Sequence, residues 1–187
     1  MFEWIDGIVC LHDSHWGHRY GPKYLKKPKE GRVFALPPKK RAMRDARAII
    51  MRLRRECRGM ELEEQTAYTL AVLRVICPFV FEELLLHCME DVGWRVRRSC
   101  YTHDGGIDGV FWDEENNKYL LQAKRYRREI KPEYLVDLCN VVRKDDEAVG
   151  GFLIHTGMTC PVSQRLVQRL DDVRILDGCG LRELVVQ

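Results

Sequence analysis

His103–Trp112 reads HDGGIDGVFW, and a few residues further on Leu120–Tyr126 reads LLQAKRY. In the first stretch two carboxylates, Asp104 and Asp108, flank a glycine pair, and the chain then turns apolar. In the second, Lys124 closes an apolar run. Both stretches have the brevity and the apolar content of buried strands. Between them lies Glu114–Asn117, EENN, a turn-forming cluster. The two strands therefore form a hairpin, and its register decides whether the acid and the lysine share a face.

Side chains alternate across a sheet, and directly opposed residues lie on the same side. With a three-residue loop at Glu115-Asn116-Asn117, Glu114 faces Lys118, Val110 faces Gln122 and Asp108 faces Lys124. Asp108, Gln122 and Lys124 then occupy one face. A four-residue loop sends Asp108 to the opposite face. The three-residue loop needs a left-handed residue, which Asn117 can supply.

Working outward, the pattern upstream is helical. From Lys39 to Arg58, Met43, Ala46, Ile50 and Leu53 recur every three or four residues, and Gly59 stops the helix. A second helix is expected from about Glu61 to Ile76, with Leu62, Ala67, Leu70, Val72 and Leu73 as its apolar set. A third covers Phe79 to Val92, built on Phe81, Leu84, Leu85, Cys88 and Met89. A strand at GWRVRRS (Gly93–Ser99) precedes the hairpin. Downstream come a helix opened by Pro132, a strand at FLIHT, a helix from Pro161, a strand at VRILD and a short helix at LRELVV. From Phe79 onward this is an α/β arrangement around a mixed sheet.

The chain has 187 residues, enough for one good core and a small appendage. No apolar run reaches the roughly 18 to 20 residues that cross a bilayer. The N-terminus has no signal-peptide pattern, so a cytoplasmic location is the expectation. Eight cysteines are present with no Cys-x-x-Cys pair, which reads as buried thiols in a reducing compartment. The net charge of +3 divides unevenly. Residues 1–58 hold 15 Lys or Arg against 6 Asp or Glu, a net of +9, and residues 59–187 hold 16 against 22, a net of −6. A basic first third on an acidic body suits a polyanion such as DNA.

Asp108 offers hard oxygen for Mg²⁺ or Mn²⁺, and the Gln122 amide or the Ala123 carbonyl adds a neutral oxygen. Lys124 can hold a water or offset charge on a phosphate. Glu82, on the third helix, supplies a second acid.

These residues carry a resemblance. FEELLLHCMEDVGW, HDGGIDGVFW and LLQAKRY resemble the catalytic domain of Mrr-type restriction endonucleases, members of the PD-(D/E)XK nuclease superfamily. GGFLIHTGMTCPVSQ and RILDGCGLREL resemble the later segments of that family. The likeness implies a restriction-endonuclease-like α-β-β-β-α-β core at residues 79–187. Ahead of it stands a basic, partly helical segment, residues 1–78, suited to binding DNA or a partner. The likeness further implies metal-dependent hydrolysis of DNA phosphodiesters, in restriction of foreign or modified DNA. In that scheme Asp108 is the principal metal ligand, with Gln122 and Glu82 beside it. Lys124 is the catalytic lysine, and Gly105 and Gly106 let backbone approach the phosphate. Arg125, Arg127 and Arg128 either grip phosphates or form a solvated charge run. His155 and Thr156, at the end of the fourth strand, either line the cleft or belong to the core. Asp104 matches an acid often found before the glycines.

Two other functions stay open at this point: a non-catalytic nucleic-acid-binding or assembly protein on a nuclease fold, and a structure-selective repair or junction nuclease. A homodimer is one way to cut both strands. Cys10, His12, His15 and His18 fall within nine residues, but their spacing matches no strong zinc motif, and zinc is not expected there.

Overall fold

The computed structural model describes residues 39–98 and 106–187. Its elements run α1 (Lys39–Glu56), α2 (Leu62–Leu73), α3 (Pro78–Asp91), β1 (Arg95–Arg98), β2 (Gly109–Trp112), β3 (Lys118–Lys124), α4 (Glu133–Lys144), β4 (Ala148–His155), α5 (Pro161–Val167), β5 (Val173–Leu176) and α6 (Gly178–Val186). The five strands form one sheet in the order β1-β2-β3-β4-β5. The β1–β2 and β2–β3 pairs are antiparallel, and β3–β4 and β4–β5 are parallel. This is the mixed α/β core expected from the sequence. Helices α4 and α5 serve as the crossovers that parallel neighbours require.

Strand alternation sorts the core into two layers. Phe111, Leu121 and Ile154 face α1, α3 and α6, together with Tyr119, Ala123 and Phe152. Val110, Leu120 and Leu153 face α4, with Leu135, Leu138 and Val142 opposite them. On the first face Phe111 stacks between Trp94 and Tyr119, at ring-centroid distances of 5.0 and 5.5 Å. Helices α1 and α2 contribute Ala42, Ala46, Ile50, Leu53, Val72 and Leu73 to this same core.

Two helix expectations need adjusting. The buried stripe of α1 begins at Ala42 rather than Met43, because steps of four, four and three residues through Ala46, Ile50 and Leu53 hold one face better. Leu62 is an exposed first residue of α2, not part of its apolar face.

The hairpin register also differs from expectation. Trp112, not Glu114, pairs with Lys118, and the ladder continues through Phe111–Tyr119 and Val110–Leu120 to Gly109–Leu121. Residues 113–117 therefore make the connection. Asp113 organises it: its Oδ1 accepts from the N–H groups of Glu115 (3.0 Å) and Asn117 (2.8 Å), and its Oδ2 accepts from Asn117 Nδ2 (3.0 Å). Such side-chain bonds to nearby backbone favour a turn over a continued strand. The left-handed residue is Asn116, with φ of 65°, rather than Asn117. The shift is two residues in all, an even number, so the paired residues Gly109–Trp112 keep the faces expected of them, while Asp108 lies just outside the ladder.

Candidate active site

The four residues singled out above lie on α3 (Glu82), just ahead of β2 (Asp108) and on β3 (Gln122 and Lys124). Glu82 and Glu83 are adjacent on α3, and the structure separates their tasks. Glu83 is buried and accepts from Arg98 Nε at 2.7 Å, while Arg98 also holds Glu90 through Nη1 at 2.7 Å. Glu82 instead lies near Asp108 and Lys124. Burial comes first among the causes that push its carboxyl up to about 8, followed by the charges of Asp108 and Glu83. Lys124 pulls the other way. At neutral pH, with no cation nearby, Glu82 therefore carries a proton.

Asp108 precedes β2 and breaks the regular ladder. Its N–H donates to Leu121 O at 2.8 Å, although Leu121 already pairs with Gly109. This irregular step turns the Asp108 carboxylate toward the backbone of β3, where Oδ2 accepts from the Ala123 N–H at 2.7 Å. Burial raises the Asp108 carboxyl above its ordinary value, and the Ala123 bond and Lys124 oppose the rise. Two acids, each pushed toward its neutral form by burial, thus lie within electrostatic reach of one another. Such clustering of perturbed groups is characteristic of sites that bind or react.

Gln122 is almost wholly buried on the α4 side of β3. Its Nε2 donates to Gly106 O at 3.1 Å, and its Oε1 is buried without a hydrogen-bond partner among the described residues. Gly106 has φ of 80°, and a Cβ there would sit 2.7 Å from Gln122 Nε2. The positive φ favours glycine here, and a larger residue would also displace the Gln122 amide. A buried amide oxygen with no partner is costly, and a cation would relieve that cost.

Lys124 is the last residue of β3 and pairs in parallel with His155 of β4. Its ammonium lies 5.3 Å from the centroid of the Tyr134 ring, on the first turn of α4. Of the three arginines beyond it, Arg127 and Arg128 are exposed. Arg125 turns inward and donates through Nη1 to Arg74 O, at the end of α2. His155 and Thr156 are fully buried. Thr156 Oγ1 accepts from Tyr126 N–H (3.1 Å) and donates to Tyr126 O (2.9 Å), fixing the strand exit after Lys124. His155 Nε2 bonds Thr159 Oγ1 at 3.1 Å, and Thr159 in turn bonds Asp177. Burial holds the imidazole down at about 4, so it is neutral in the fold. Gly105, Asp104, Cys10, His12, His15 and His18 lie outside the described residues.

Does this donor set suit Mg²⁺ or Mn²⁺? Among the described residues no three His, Cys, Asp or Glu side chains group as a metal shell. The site offers two carboxylates and the unpartnered Gln122 Oε1, all hard oxygen. Mg²⁺ commonly uses one or two carboxylates and takes its remaining ligands from water and substrate phosphate. Oxygen donors of these types suit such an ion.

A profile of the Mrr catalytic family, described as restriction endonuclease, matches residues 73–185. The chain belongs to the restriction-endonuclease family. The match begins at the end of α2 and includes every element of the site. Two solved restriction endonucleases resemble this Mrr-type domain. One is MspJI in complex with a 27-mer oligonucleotide, at 18% identity and a TM-score of 0.36, the alignment covering 80% of this chain and 34% of that one. The other is the DNA modification-dependent restriction endonuclease AspBHI, at 13% identity and a TM-score of 0.34, covering 83% of this chain and 39% of that one. The Mrr-type chain thus spans little more than a third of either. No curated protein matches it. No helix among the described residues is long and apolar enough to cross a membrane.

The sequence pattern did not single out Tyr134. A tyrosine two residues after Pro132 reads as ordinary helix start, and only the fold brings its ring beneath Lys124.

Proposed function

We propose that the chain is a metal-dependent DNA endonuclease that hydrolyses phosphodiester bonds, in restriction of foreign or modified DNA. The observation that carries this reading is that Glu82, Asp108 and Lys124 lie within electrostatic reach of one another; the buried Gln122 Oε1 on the same strand as Lys124 supports it. Family membership supports DNA cleavage as the reaction.

A divalent ion held by Asp108, Glu82 and Gln122 would supply Lewis-acid stabilisation of the charge that gathers on the phosphate oxygens. The chain's own groups do the rest. The Ala123 N–H fixes the Asp108 carboxylate in one orientation. Lys124 places a positive charge where it can hold the attacking water or a phosphate oxygen. That water's oxygen forms the new bond to phosphorus, and the ester oxygen leaves with a proton. Arg127 and Arg128, exposed just beyond Lys124, suit contacts to flanking phosphates, which position DNA without reading its sequence.

The test is cleavage of supercoiled plasmid in Mg²⁺, alongside DNA binding. Asp108→Ala and Lys124→Ala should each lower the cleavage rate by at least about 10²-fold while leaving binding intact, the scale expected when one charge-stabilising group is lost. Wild-type rates from purified Asp108→Ala protein would overturn the reading. Methylated, unmethylated, branched and single-stranded substrates then separate a restriction role from one in repair. Equal cleavage of all four would count against restriction of modified DNA.

A further inference from the structure

The segment after β3 is held more firmly than a solvated charge run. Ile130 N–H donates to Met158 O at 3.0 Å, and Met158 N–H donates to Arg128 O at 3.2 Å. Gly157 permits this closeness, because a Cβ there would lie 2.4 Å from Arg128 O. Thr156 Oγ1 clamps both backbone groups of Tyr126. Tyr126 is therefore a fixed point, and its hydroxyl meets that of Tyr134 at 2.6 Å. The two rings lie 5.9 Å apart. Tyr134 is anchored from the other side by α4, whose next residue, Leu135, is fully buried.

Resting on the nuclease reading above, we propose that Tyr134 is a positioning residue for Lys124. The face of its ring holds the ammonium at the mouth of the site, and the Tyr126 hydroxyl locks the ring in place. A lysine side chain has four rotatable bonds and a compact charge, so without a guide it explores many orientations. An aromatic face within about 6 Å of a cation attracts it, by about 0.5–1 kcal/mol where solvent is near. At 5.3 Å Tyr134 is within that reach. The effect is to confine Lys124 to the side of β3 on which Gln122 also lies. Tyr134 need not touch DNA to matter.

The experiment has two arms. In the first, the Lys124 ε-methylene protons are assigned by NMR in the full chain without metal or DNA. A ring above them shifts them upfield. The proposal expects that shift in wild type, a partial and similar reduction in Tyr134→Phe and Tyr126→Phe, each of which removes the hydroxyl–hydroxyl bond, and its loss in Tyr134→Leu. Absence of the shift in wild type overturns the proposal whatever the chain's activity, so the failure of this idea is separable from failure of the nuclease reading. In the second arm, plasmid cleavage at saturating DNA should fall about two- to fivefold in Tyr134→Leu with KM unchanged, and be restored in large part in Tyr134→Phe. On a Lys124→Ala background, Tyr134→Leu should add no further loss. Additive losses, or a rise in KM with kcat intact, would mean that Tyr134 contacts DNA itself, and would overturn positioning as its role.

Discussion

Glu82 is the residue whose ionisation links fold and chemistry most directly. Its carboxyl is raised to about 8 in the folded chain, from an ordinary value of 4.5. The fold thus prefers the protonated acid. The resulting stability is fully present below about pH 4.5 and is lost as pH rises through about 8. In EDTA, Glu82→Gln should therefore raise the melting temperature at pH 8.5 by roughly 2–4 °C, equivalent to about 1 kcal/mol in a chain of this size, and change it little at pH 4.5. An equal effect at both pH values would refute the assignment. A cation needs the ionised form, so Mg²⁺ binding by calorimetry should strengthen from pH 6 to 8 and release protons. A flat pH dependence in wild type would show that Glu82 is no ligand. His155 has the opposite sign. Its value falls from 6.5 to about 4, so the stability it lends is present above about pH 6.5 and lost as pH falls toward 4.

At the scale of elements, the hairpin carries most of the lesson about what a sequence reveals. Its two strands and the faces they present were legible from alternation and from the apolar runs. The turn was not. Loop length depended on Asp113, which reads as the last strand residue but spends its carboxylate on the N–H groups of Glu115 and Asn117. Alternation could not reveal the irregular step at Asp108 either, because it depends on one N–H choosing Leu121 O. The choice of Glu82 over Glu83 rested on family likeness. The structure supplies a physical reason, since Arg98 claims Glu83. Arg98 itself, 15 residues away in sequence, carried no such signal. Tyr134 was invisible for the same reason, since its meeting with Lys124 is made by the crossover. Two predictions belong here. Asp113→Ala should cost about 1 kcal/mol in urea unfolding, the usual worth of side-chain bonds to otherwise unsatisfied backbone N–H groups. Phe111→Ala should cost about 3–5 kcal/mol, because it empties the stack between Trp94 and Tyr119. A loss below about 1 kcal/mol for Phe111→Ala would show that this face repacks freely.

For the whole molecule, charge is the relevant quantity. The first 38 residues carry Arg19, Lys23, Lys26, Lys27, Lys29 and Arg32 against Glu3, Asp6, Asp13 and Glu30, a net of +2, and residues 39–58 carry the other +7 of the basic excess. If this arm grips DNA, deleting residues 1–38 should flatten the plot of log binding constant against log salt, by about 0.9 for each phosphate the arm had neutralised. An unchanged slope would remove the arm from the DNA interface and leave Arg127 and Arg128 as the cations to test next.

The bond between Asp108 and the Ala123 N–H has one more consequence, for how the protein breathes. Ala123 sits in the central strand, yet its amide proton is guarded by a side chain. Hydrogen–deuterium exchange at that one amide therefore reports on the grip of the acid as well as on strand opening. In Asp108→Ala it should exchange far sooner than its strand neighbours Leu121 and Leu120. In intact protein its protection should fail only when β3 itself opens. The acid at the centre of the site would then be lost with the sheet rather than before it, and loss of activity on heating would track global unfolding.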